Sequence, residues 1–129
     1  MQGKKSFTPQ LFVSVNLLDL VPEDNFYRKL QTELNLHFIY KATQKYYGKE
    51  GQESIDPVVF FKILLVGYLN NINSDRQLIA FCSDSLSIRL FLGYDVHEQL
   101  PWCVGLVALL KNSSLAGLCA VLQMCHQMH

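Results

Sequence analysis

No run of this chain reaches the ~18 uninterrupted apolar positions that a membrane-spanning helix needs. Charge is scarce too: 11 basic and 11 acidic side chains, 17% of the 129 residues, cancel to a formal net charge of zero. That excludes a bulk electrostatic pull toward nucleic acid. Any such contact has to come from a local basic face or from another domain. The start, MQGKKSFTPQLF, has two lysines but no long apolar core and no small-residue cleavage site, so no secretory leader is expected. Without an export signal, Cys82, Cys103, Cys119 and Cys125 read as reduced thiols of a cytoplasmic protein.

What is present is apolar for 50% of its length, which makes the chain globular, with enough residues for one real core and too few for two. Leu11–Val15 reads as a short strand or an extended arm. Val21-Pro22-Glu23-Asp24 reads as a helix start, with proline in the first turn and two acids at the positive end of the helix dipole. The helix expected over 23–34 turns Phe26, Leu30 and Leu34 inward, with Tyr27 a further candidate, and faces Arg28, Lys29 and Glu33 out. Phe38, Ile39 and Tyr40 can open a short helix, and the glycines at 48 and 51 mark a polar loop.

Asp56-Pro57 is the clearest helix start, with Asp56 as N-cap and Pro57 at the first helical position. The helix it opens, to about residue 70, is apolar almost all round and should be the buried centre, with Lys62 on its solvent strip. Ser74-Asp75-Arg76-Gln77 matches a capping box and opens a helix over 75–83, whose inner face is Leu78, Ile79, Phe81 and Cys82. Ser83-Asp84-Ser85 caps a third helix, with Leu86, Ile88, Leu90, Phe91 and Leu92 before a stop at Gly93. The expected class is all-α, a compact helical domain with helix-turn-helix-like short turns over 1–102. An atypical apolar tail follows over 103–129, where Lys111 is the one charged residue.

In series, SIDPVVFFKILLVGYLNN, SDRQL and RLFLG resemble the N-terminal domain of bacterial insertion-sequence transposases of the InsH-like group. That group has a Ser-Ile-Asp-Pro helix start, a long apolar helix, a Ser-Asp-Arg-x-Leu helix and an Arg-x-Phe-Leu-Gly stretch. Upstream, LVPEDNFYRKL is similar to the group's Val-Pro-x-Asp-His-x-x-Arg-Lys, with Asn25 where many relatives have His. The likeness covers about residues 8–102. It implies a helical domain preceding a ribonuclease-H-like domain whose Asp-Asp-Glu carboxylates hold metal to cut and join DNA. The helical domain would help recognise the element's ends or assemble the complex. After Trp102 this chain departs from the pattern, and no acidic residue follows Glu98, as in a shifted frame or a truncated copy. The expectation is therefore a non-catalytic chain that binds DNA at insertion-element ends, has no cofactor and no membrane contact, and acts in DNA transposition. The alternatives are a fragment that pairs with full-length transposase, or with itself, and modulates it, or a relic.

The DNA-contact candidates are Arg76, Gln77, Lys62, Arg89, Lys41 and Lys45, each with a structural counterpart. Arg76 and Gln77 stand in the first turn of their helix, where a recognition helix places base contacts; the counterpart is an Asp–Arg pair fixing the turn. Arg89 either contacts DNA or packs its stem while its head pairs with an acid such as Asp84 or Asp95. Lys41, Lys45 and Lys49 recur every fourth residue with Tyr46 and Tyr47 between them, as a basic aromatic stripe or as a solvated face. Asp56, Asp75 and Asp84 are accounted for as caps, and Asp19, Glu23, Asp24 and Glu33 are spread along a surface, so no catalytic set is assigned. Cys119, Cys125, His126 and His129 fit no standard zinc spacing, so no metal site is assigned.

Overall fold

The computed structural model describes residues 2–44 and 55–101, and among these residues every regular element is a helix. They are α1 (Leu17–Leu20), α2 (Phe26–Glu33), α3 (Phe38–Thr43), α4 (Pro57–Leu69), α5 (Asp75–Asp84) and α6 (Leu86–Leu92). The expected all-α class holds. No helix among the described residues is long and apolar enough to cross a membrane. Lys45, Lys49, the tyrosines between them, Trp102 and the tail over 103–129 lie outside the described residues.

Most starts and stops follow from local chemistry. The Asp56 carboxylate accepts from the Val58 N–H at 2.8 Å with Pro57 behind it, and the Ser85 hydroxyl accepts from the Ile88 N–H at 3.4 Å. α2 begins later than the 23–34 expectation. Pro22 to Asp24 form a turn, and Asn25 is the N-cap, accepting from the Tyr27 N–H at 3.0 Å. α1 is an addition, a single turn capped by Asn16. The capping box at Ser74 does not form: its side chain makes no cap hydrogen bond, and Asp75 supplies the favourable charge in the first turn.

Two helices end in the same way. Gly93, at φ +83°, closes α6 with bonds from its own N–H to Leu90 O and from the Tyr94 N–H to Arg89 O, the two bonds of a Schellman turn. Asn71, at φ +54°, closes α4 through Asn71 N–H to Tyr68 O and Ile72 N–H to Gly67 O. The latter turn leads straight into α5. Gly67 lets α5 come close, because a Cβ there would stand 3.0 Å from the Leu78 Cδ2 atom.

Ile63 and Val66 of α4, Leu78 and Cys82 of α5, and Ile88, Phe91 and Leu92 of α6 form the main core with Leu100. Leu36, Ile39 and Phe61 make a second cluster under α3. The sequence points to α4 as the centre, but α6 shares that place: it touches α1, α2, α4 and α5, and Phe91 is fully buried. Tyr27 of α2 reaches it across 5.7 Å between ring centroids. Two residues assigned to inner faces turn outward instead. Phe26 and Phe81 are exposed, because the positions beside them, Tyr27 and Cys82, take the inward direction.

Candidate nucleic-acid interface

Three of the basic side chains are held by backbone carbonyls at helix ends. Lys62 does not lie on a solvent strip. It is half-buried and donates from Nζ to Phe91 O at 2.8 Å, with the ammonium 5.0 Å from the centroid of the Phe91 ring. Phe91 O belongs to the last turn of α6, where carbonyls lack intrahelical partners and the dipole favours a cation. Burial lowers the Lys62 pKa, and the charge of Asp56 partly offsets that shift.

Arg89 is bound in the same manner. Its Nε donates to Ser83 O at 2.8 Å, in the last turn of α5, and its Nη1 to Asp95 O and Glu98 O, both at 2.9 Å. The expected partners were carboxylates, but the guanidinium fork meets three carbonyls from two segments. It thereby ties the loop after α6 to the end of α5. Arg28, expected to face out, is also half-buried. Its Nη1 donates to Leu18 O at 2.9 Å and to Val21 O at 2.6 Å, and Glu23 stands 3.9 Å from its Nη2. Composition and spacing carry no signal for these contacts, since each partner is a main-chain oxygen brought close by folding.

Arg76, Gln77 and Lys41 are different. All three are exposed, and among the described residues none makes a hydrogen bond or ion pair. The expected Asp–Arg pair at the start of α5 is not formed. Arg76 stands in the first turn of α5, on the rim of an open groove of about 490 Å³ whose walls are α5 and the loop over 95–100. Ile79 and Ala80 line it from α5, and Val96, His97 and Leu100 line it from the loop. Arg89 lines the same groove, so folding brings these two arginines together. Lys41 stands apart, in the last turn of α3.

α4, a turn over 70–74, and α5 follow one another in helix-turn-helix-like order, with Arg76 and Gln77 of the first turn of α5 exposed. Residues 15–103, which contain all six helices, match the family described as Transposase domain (DUF772). The chain belongs to that family. No curated protein and no solved structure matches this transposase domain. The family ties the domain to DNA transposition.

Several acids of the transposase domain already have local partners. Asp56 caps α4 and accepts from the Tyr40 hydroxyl at 2.8 Å, which raises the Tyr40 pKa. Glu98 accepts from the Asp95 N–H and Asp95 from the Val96 N–H. Among the described residues no group of three His, Cys, Asp or Glu side chains is placed to hold a metal ion.

Proposed function

We propose that this transposase domain is the DNA-end-recognising or complex-assembling module of an InsH-like insertion-sequence transposase, and that it does not itself cut or join DNA. The observation that carries the reading is the state of Arg76 and Gln77. They stand free on the first turn of α5, the second of two helices joined by a short turn, while Arg28, Lys62 and Arg89 are held by carbonyls. Arg and Gln are the side chains that pair in bidentate fashion with guanine and adenine edges in the major groove. Against strand transfer by this chain, Asp56, Asp95 and Glu98 serve caps and turns, and such chemistry needs carboxylates converging on metal ions.

The test is fluorescence anisotropy of the full chain with terminal-repeat DNA and with scrambled DNA at two salt concentrations. The expected result is preference for the terminal repeat, affinity that falls with salt, and a loss of about 1–3 kcal/mol on Arg76→Ala. No binding at low salt overturns the DNA-end reading and leaves complex assembly as the domain's role.

A further inference from the structure

The charge of the helical body works against DNA binding. Over 17–44 and 55–101 the chain carries six basic and nine acidic side chains, and three of those six cations are already held by carbonyls. The net charge of these residues is unfavourable to phosphate, and only Lys29, Lys41 and Arg76 among them are exposed cations without a partner. Residues 2–16 have the opposite character. Lys4 and Lys5 lie there, and no acidic residue precedes Asp19. All of these residues are exposed, and among the described residues no hydrogen bond involves 2–15. Phe7, Leu11 and Phe12 are 84%, 92% and 94% exposed. Pro9 favours extended backbone at Thr8, and an extended chain from Asn16 back to Lys4 reaches about 40 Å, roughly one turn of duplex.

We infer that residues 4–12 are a DNA-binding arm, with Lys4 and Lys5 on phosphates and Phe7 and Phe12 wedged against base steps in the minor groove. This rests on the DNA-end reading above and assigns to the arm the electrostatic anchoring that the body lacks. Cations beside unpartnered aromatics are the composition that minor-groove and stacking contacts use: the charge follows the backbone and the ring enters the base stack. A protein partner would instead cover the rings and pair Lys4 and Lys5 with carboxylates, and would leave DNA affinity unchanged in the ring variant.

The test compares the full chain with Lys4→Ala/Lys5→Ala and Phe7→Ala/Phe12→Ala on terminal-repeat duplex, between about 50 and 200 mM salt. The arm makes no hydrogen bond to the body, so unchanged circular dichroism is expected for both variants. Removing two phosphate contacts lowers the slope of log K against log salt by about 1.8 and leaves the preference over scrambled DNA intact. Removing the rings weakens binding roughly fivefold or more at unchanged slope. It also abolishes the fluorescence rise that the intact chain causes in a duplex carrying 2-aminopurine at the wedged step. If the intact chain binds DNA and neither variant changes slope, affinity or fluorescence, the arm is not a DNA contact, although the α5 reading stands. A ring variant that dissociates a dimer by light scattering while binding DNA unchanged assigns the arm to assembly and overturns the proposal. If the intact chain binds no DNA, both readings fall.

Discussion

Arg89 and Arg76 line the same groove, yet Arg89 commits three of its five N–H groups to main-chain oxygens and Arg76 commits none. The difference lies in which helix end each one meets. The last turn of a helix presents carbonyls without partners, which can hold a cation from a neighbouring element, whereas the first turn presents N–H donors and offers a cation nothing to bind. Arg28 and Lys62 obey the same rule at the ends of α1 and α6. Arg76 is thereby left available for a ligand, while Arg28, Lys62 and Arg89 are absorbed into the fold because each reaches the carbonyl end of a neighbouring helix; Lys41, in the last turn of α3, reaches no such carbonyl and stays exposed.

The comparison can be broken at the end of α6, and Phe91→Ala should do so most severely. It removes the buried ring under Tyr27 and Lys62, and a loss of about 3–5 kcal/mol is expected in urea denaturation. Arg89→Ala should cost about 2–3 kcal/mol by the same measurement, since three carbonyls lose a charged donor. An Arg89 variant as stable as the parent would place it back among the free cations. Lys62→Met keeps most of the stem and removes one bond, so about 1–2 kcal/mol is expected. Gly93→Ala forces a side chain into the left-handed region and should lower stability by about 1 kcal/mol, read as a shift in thermal midpoint. Arg76→Ala sharpens the contrast from the other side: stability within about 0.5 kcal/mol of the parent, with the effect appearing in DNA affinity alone.

Signals carried by neighbouring residues were legible in the sequence. Asp56-Pro57, Ser85 and Gly93 act within three or four positions of themselves, and the structure uses each as expected. The core faces of α4, α5 and α6 were legible as far as periodicity reaches. Phe26 and Phe81 show its limit, because a short helix has room for one inward direction and two adjacent apolar residues compete for it. The single turn of α1 escaped notice because four residues are too few to display a period. For the candidate site, Arg76 and Gln77 lie on the exposed first turn where the capping signal put them, although the capping bond itself is absent. Lys62 and Arg89 could not be sorted by sequence, since the partner of Lys62 is a carbonyl 29 positions away and those of Arg89 are carbonyls 6 and 9 positions away, an arrangement that exists only after packing.

Burial of Cys82 gives the molecule an internal clock. Its thiol is fully shielded, and burial pushes its pKa up to about 11, so little reactive thiolate is present near neutral pH and reagent has no path to it. Alkylation at that sulfur must then wait for α4, α5 and α6 to separate. Its rate, followed by mass spectrometry of the peptide that contains it, counts openings of the core rather than surface encounters.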